Sequence, residues 1–207
     1  MGLPGFPTPI AIAGLGAVAF LLMDLAVRFG REARRIDAAP ADRGTTQVAY
    51  RAFLVIVLAV FVLPRFAHPA RLEVPLAPAV AWTGAAMIPI GLLLRLWATL
   101  TLRHAYTRTL RIQPGQELIR RGPYRWVRHP GYLGSLVMWS GVGLASANLL
   151  SIAIVFAALA IAYGRRIHHE EAMLRAAFGD RHRAYRAEVG LLLPRLIRRP
   201  EPRSDGV

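Results

Sequence analysis

The chain has 207 residues, 55% of them hydrophobic, with a mean hydropathy of +0.38. A water-soluble domain of this length needs more polar surface to cover its core, so the composition predicts a membrane protein. Cysteine is absent, which excludes disulfides, thiolate catalysis and cysteine-ligated metal sites. The net charge of +14 comes from 26 arginines without any lysine. Because these arginines lie between apolar runs, we expect them to face anionic lipid headgroups rather than nucleic acid.

Four apolar stretches predict an all-α, polytopic architecture. A helix needs about 20 apolar residues to cross a membrane, and three runs reach that length, at residues 9–29, 48–66 and 76–102. The fourth stretch, 132–163, is too long for one upright helix, and the Ser-Ala-Asn sequence at residues 146–148 favours a tight turn. We therefore predict a helical hairpin there and five transmembrane helices in total.

The distribution of arginine predicts the orientation of these helices. Arginine is frequent between the first two spans, between the third span and the hairpin, and after the hairpin, whereas the other connections have few or none. Arginine-rich segments stay on the cytoplasmic side. We therefore expect the N-terminus outside and the C-terminus in the cytoplasm, with the bacterial inner membrane as the location. After the hairpin, an apolar stripe over residues 164–190 predicts a cytoplasmic helix that is broken at Gly179.

The segment ahead of the hairpin contains residues with defined backbone preferences. Gly122-Pro123 marks a turn, and His129 is biased towards an extended backbone because Pro130 follows it. Pro130 suits the first position of a helix, and the free N–H groups at a helix start attract carboxylate or phosphate. The segment is therefore either a binding loop at the cytoplasmic membrane surface or a loop that arginines and aromatic side chains anchor to lipid.

Charged residues at two other places are candidates for a site. Arg166 and Glu170 are four residues apart on one helix face, so they either bind a zwitterion or form a solvated pair worth about 0.3–0.5 kcal/mol. Arg95 lies inside the third span and Asp24 inside the first, where ionisable groups usually face the bundle interior or a cavity. Alternatively, the Arg95 guanidinium reaches up to the interface. The adjacent His168 and His169 point to different faces, so no metal site is predicted.

Read together, these segments resemble the isoprenylcysteine carboxyl methyltransferase family and the related phospholipid methyltransferases. The likeness covers residues 91–194 and depends on an Arg-His-Pro-Gly-Tyr motif at residues 128–132 and a Glu-Glu pair at residues 170–171. The resemblance implies a pocket for S-adenosylmethionine at the cytoplasmic membrane surface. The positions implied to contact this cofactor are Gln116, Glu117, Leu118, Ile119, Tyr124, His129, Pro130, Gly131, Tyr132, Glu170 and Glu171.

The resemblance also implies transfer of a methyl group to a lipophilic small-molecule or lipid substrate. Arg95 and Arg166 match positions near the methyl acceptor, and Glu170 completes the implied catalytic set. A carboxylate of an isoprenyl-type or lipid acceptor needs no general base, whereas a phospholipid amine would give Glu170 or Glu171 that role. The expected partners are this substrate and membrane lipids, without nucleic acid or metal. Two alternatives stay open: an NADPH-dependent membrane sterol-type reductase, and a non-enzymatic protein that binds anionic lipid.

The chain departs from the family at two of these positions. The family often has His where this chain has Gln116, and Val where it has Ile119. Each change affects an adenosine-side contact to which the backbone can still contribute. The predicted organisation has N-terminal spans at residues 1–90, a methyltransferase catalytic region at 91–195 and a disordered tail at 196–207.

Overall fold

The computed structural model describes residues 8–28, 44–66, 76–102 and 118–195. Within these ranges the chain forms five α-helices and two short 3₁₀ helices, and its β-structure is limited to one isolated bridge. The α-helices are α1 (Pro9–Arg28), α2 (Thr45–Phe61), α3 (Ala77–Leu102), α4 (Pro130–Ala145) and α5 (Leu149–Glu188). The predicted all-α architecture is confirmed.

Among the helices in the described ranges, four are suited to crossing a membrane. The helices α1, α2, α3 and α5 each contain a stretch long and apolar enough for a span. The fourth helix, α4, has 16 residues and is therefore about 24 Å long, which is short of a full crossing of about 30 Å. The chain is an integral, multi-pass membrane protein, and α4 is the short member of the five predicted spans.

The predicted hairpin is formed by α4 and α5, and its turn is held by short polar side chains. The Ser146 hydroxyl donates to the Gly143 carbonyl (2.7 Å) at the end of α4. Ala147 has a φ of 45°, which a residue with a side chain rarely adopts. The Asn148 side chain then accepts from the Ser151 N–H (3.0 Å) and caps α5. The polar turn residues therefore separate two helices within one apolar stretch.

The helices α3 and α4 run antiparallel and touch through their backbones. A Cβ added to Gly91 would lie 2.4 Å from the Met138 nitrogen, and one added to Gly134 would lie 2.7 Å from the Gly91 carbonyl oxygen. The same close approach recurs seven residues away at Gly84 and Gly141. Small residues allow such contact between membrane helices. This contact fixes the last turns of α3 beside the start of α4.

The helix predicted at residues 164–190 is a continuation of α5 rather than a separate element. A glycine within a helix costs only about 1 kcal/mol, so Gly164 does not end a helix flanked by good helix formers. The predicted break at Gly179 is confirmed, because this residue has φ 49° and ψ −119°. The helix ends at Glu188. The predicted disordered tail, 196–207, lies outside the described residues.

Candidate active site

A cavity lies among the five helices and the segment that precedes α4. Phe20 of α1 and Phe53 of α2 both pack edge-on against Trp139 of α4, with ring centroids 5.2 Å apart in each pair, and all three rings line the cavity. The structure brings most of the predicted site residues to this wall. They are Arg95, Leu118, Ile119, Tyr124, His129, Gly131, Tyr132, Arg166 and Glu170.

The other predicted site residues lie elsewhere. Pro130 is the buried first residue of α4 and does not line the cavity. Glu171 is also buried and lies behind the wall rather than on it. Gln116 and Glu117 lie outside the described residues.

The segment before α4 is fixed to the end of α5. The Arg128 N–H donates to the Gly190 carbonyl (2.8 Å), within an isolated parallel bridge. The Tyr185 hydroxyl of α5 donates to the Tyr124 carbonyl (2.6 Å). These bonds join residues that are 61 or more positions apart in the sequence. They hold Tyr124 and His129 against the cavity.

Behind the wall, Glu171 is the centre of a buried cluster of charged side chains. Its carboxylate accepts from Arg128 Nε (3.0 Å) and from His129 Nε2 (2.8 Å), and Nε of the more exposed Arg186 lies 3.2 Å away. Since an ionised carboxylate only accepts, His129 Nε2 carries a proton. Glu171 lies in the polar part of α5, beyond its apolar stretch. Burial alone would raise the pKa of this carboxyl, but hydrogen bonds from His129 and Arg128 outweigh burial and hold the pKa well below its ordinary value.

On the cavity side, His129 and Tyr132 connect Glu170 with Arg166. The His129 ring stacks on Tyr132 at 5.6 Å, and its Nδ1 lies 3.9 Å from a Glu170 oxygen. Arg166 donates from Nε to the Tyr132 hydroxyl (3.2 Å) and from Nη1 to the Thr46 hydroxyl (3.2 Å). Arg166 is only 8% exposed, so Arg166 and Glu170 are not a solvated surface pair.

Arg95 points into the bundle and does not extend to the interface. Its Nη1 donates to the Ser135 hydroxyl (2.5 Å) and to the Gly131 carbonyl (3.4 Å). Its Nη2 lies 4.0 Å from the Asp24 carboxylate of α1, and both side chains are 12% exposed. The guanidinium also covers the Phe20 ring at 4.6 Å. The Arg95 guanidinium of α3 is therefore contacted by residues of both α1 and α4.

Sequence reasoning placed the charge of Asp24 within the first span but assigned no part of the site to α1 and α2, and so missed the part of the wall that these helices supply. These residues are Phe20, Leu21, Asp24, Thr46, Ala49, Tyr50, Ala52, Phe53 and Ile56. An apolar residue that faces lipid has the same composition as one that faces an apolar cavity, so hydropathy does not separate the two. The available signal was Asp24, the one acidic residue of α1, because a carboxylate within a span usually faces a partner inside the bundle.

Comparison with known proteins bears on the same residues. Residues 84–176 match the isoprenylcysteine carboxyl methyltransferase (ICMT) family. The chain is 34% identical over 117 residues to a probable protein-S-isoprenylcysteine O-methyltransferase of Oryza sativa subsp. indica, covering 56% of this chain and 61% of the relative. It is 41% identical over 71 residues to methanethiol S-methyltransferase of Mycobacterium tuberculosis, covering 34% of this chain and 28% of the relative.

A solved structure shares the fold. The eukaryotic intramembrane Ras methyltransferase ICMT superimposes with a TM-score of 0.60 and 24% identity, over 92% of this chain and 69% of that chain. The chain spans about three fifths of the length of the rice relative. The family match includes Arg95, the motif at residues 128–132, Arg166 and the Glu-Glu pair. Over this segment, the chain is similar to the isoprenylcysteine carboxyl methyltransferase family.

Proposed function

We propose that this protein is a membrane methyltransferase that uses S-adenosylmethionine and a lipophilic acceptor at the cytoplasmic surface of the bacterial inner membrane. One observation carries the proposal: the same cavity is lined by residues implied to contact the cofactor and by Arg95 and Arg166, which are implied to meet the acceptor. Apolar side chains of α1 and α2 complete the wall, as a lipophilic acceptor requires.

The side chains on the wall fit the chemistry of the donor. When bound, S-adenosylmethionine supplies an electrophilic methyl group on a sulfonium. Glu170, whose side chain is 27% exposed at the cavity, offers a carboxylate to the donor's ammonium group. Leu118, Ile119 and Tyr124 offer apolar and aromatic surface to the adenine ring. The buried Glu171 keeps His129 oriented beside this surface.

Two preoriented arginines are suited to hold an acceptor. Arg95 and Arg166 each have part of their guanidinium anchored by neighbouring side chains, so little rotamer freedom remains to be lost on binding. Either guanidinium can bind a carboxylate, and a carboxylate reacts without a general base. An amine acceptor would need one. Glu170 is suited to that role because it lines the cavity, whereas Glu171 is bound to Arg128 behind the wall.

The acceptor reaches the cavity from the lipid phase, between α1 and α2. The helix α1 packs on α3 and α4, whereas α2 packs mainly on α5. Leu21 of α1 and Tyr50 of α2 line the cavity and are also 43% and 38% exposed. The seam between α1 and α2 is therefore bounded by accessible side chains. Activity is expected to rise with the length of the acyl or prenyl chain of the acceptor.

Binding and labelling experiments test the proposed activity. The purified protein should bind S-adenosylhomocysteine in calorimetry, and a lipid extract incubated with methyl-labelled donor should yield a labelled lipophilic product. Binding of NADPH without S-adenosylhomocysteine would instead indicate a reductase. Binding of neither, with retention on anionic vesicles, would indicate a lipid-binding protein.

Separate substitutions test the two ends of the site. Glu170→Gln should chiefly weaken S-adenosylhomocysteine binding, whereas Arg166→Ala should chiefly raise the acceptor KM or lower kcat. A charge-assisted hydrogen bond in a partly dry site contributes about 1.5–3 kcal/mol, or roughly ten- to a hundredfold. Arg165→Ala is the matched control, because Arg165 is adjacent on α5 and exposed. If the dissociation constant, KM and kcat of both variants stay within twofold of wild type, the assignment of Arg166 and Glu170 to the site is contradicted.

A further inference from the structure

The acceptor end of the cavity contains an acidic residue from outside the family match. The match begins at residue 84, so α1 and α2 lie outside it. Asp24 is in the last turns of α1 and lines the cavity together with Arg95. Its carboxylate is 12% exposed and lies 4.0 Å from Arg95 Nη2.

Arg95 and Asp24 place opposite charges side by side at the cavity. The Arg95 Nη1 is hydrogen-bonded to Ser135 and Gly131 of α4, which fixes the direction of the guanidinium. The Asp24 carboxylate lies 4.0 Å from Nη2 of the same guanidinium. An anionic acceptor group that approaches Arg95 therefore also approaches the Asp24 carboxylate and is repelled by it. A cationic or amine headgroup at the same place is attracted.

We propose that Asp24 is a specificity-determining residue, whose carboxylate limits the preference of Arg95 for anionic acceptors over amine acceptors. The proposal rests on the acceptor cavity proposed above. The charges on the described part of the wall are consistent with it. Arg128 is paired from behind with Glu171, a carboxylate that Arg186 also contacts, and on the described part of the wall Asp24 and Glu170 are the acidic side chains beside Arg95 and Arg166. Loss of the Asp24 charge makes this wall more cationic.

The experiment measures binding, so that it does not depend on methyl transfer. The probes are N-acetyl-S-farnesylcysteine, which carries a carboxylate, and farnesylamine, which carries the same chain. Dissociation constants are measured in detergent for wild type, Asp24→Asn and Asp24→Glu. Leu25→Ala is the control, because Leu25 follows Asp24 in α1 and is exposed on the outer surface.

In Asp24→Asn the carboxylate probe should bind more tightly and the amine probe more weakly. A unit charge about 5 Å away should change the ratio of the two constants by at least about fivefold even after screening. Asp24→Glu should keep the wild-type ratio, and affinity for S-adenosylhomocysteine should stay within twofold in all variants. An unchanged or oppositely shifted ratio in Asp24→Asn would overturn the proposal.

Two further outcomes are distinguishable. If Asp24→Asn does not fold, Asp24→Ser replaces it, and failure of both to fold would assign Asp24 to structure and overturn the proposal. If the ratio shifts as expected but no labelled product forms with any acceptor, the proposed methyl transfer fails while the role of Asp24 in headgroup selection stands.

Discussion

The α3–α4 pair and the two N-terminal helices meet the same cavity in different ways. At Gly91 the two backbones of α3 and α4 are so close that an added Cβ would lie 2.4 Å from a main-chain nitrogen. At Gly14 of α1 the nearest atom to an added Cβ is 3.8 Å away, on the Phe61 side chain of α2. At Gly91, inside the family match, α3 and α4 meet through backbone atoms, whereas at Gly14 α1 meets α2 through a side chain. Packing of the second kind is compatible with the proposed entry of the acceptor between α1 and α2.

Substitution at these two glycines should test that contrast with the largest effect. Gly91→Ala must separate α3 from α4, since neither neighbouring backbone atom can yield, and we expect loss of most of the folded protein. Gly14→Ala has room for its methyl group and gains helix propensity of up to about 1 kcal/mol. Thermal unfolding in detergent, with yield of monodisperse protein, measures both. If both variants unfold at the same temperature and give the same yield, the packing difference has no energetic consequence.

Much of this fold could be predicted from the sequence, because helix lengths follow from apolar runs and turns follow from polar or small residues. The hairpin was predictable for that reason, since residues 146–148 interrupt a long apolar stretch. Which of two adjacent residues faces a cavity is harder to predict. Glu170 and Glu171 differ by about 100° around α5, and the Arg128 and His129 partners that turn Glu171 away come from a distant segment.

The roles of α1 and α2 could not be predicted from hydropathy. A membrane helix is apolar towards lipid and can be equally apolar towards a cavity, so periodicity carries no signal. Only a polar exception such as Asp24 marks the inner face. The tertiary contact of Arg166 with Thr46 of α2 is likewise absent from any local pattern.

Substitution of two carboxylates of α5, one buried and one exposed, should change the stability of the protein by an intermediate amount. Glu171, inside the family match, binds the buried Arg128 and His129, whereas Glu188, outside it, pairs with Arg120 at the surface with both side chains more than 40% exposed. Glu171→Gln leaves a buried guanidinium without its counter-charge and should reduce the free energy of unfolding by about 2–4 kcal/mol. Glu188→Gln should change it by less than about 0.5 kcal/mol. Denaturant titration measures both free energies of unfolding. Comparable losses in the two variants would contradict the conclusion that the cluster around Glu171 holds the segment before α4 against α5.

The smallest expected effect concerns the seam between α1 and α2. Leu21 lines the cavity and is 43% exposed, whereas its neighbour Leu22 is 60% exposed and does not line the cavity. Leu21→Trp should narrow the route from the lipid, while Leu22→Trp places the same indole against lipid alone.

Because only access changes, the dissociation constant of S-adenosylhomocysteine should be unaffected in both variants. The kcat/KM should fall a few-fold in Leu21→Trp alone, and more for long-chain than for short-chain acceptors, since a longer chain must pass more of its length through the seam. Methyl-labelling rates with prenyl acceptors of increasing length measure this difference. If Leu21→Trp and Leu22→Trp give the same rates at every chain length, the acceptor reaches the cavity by another route.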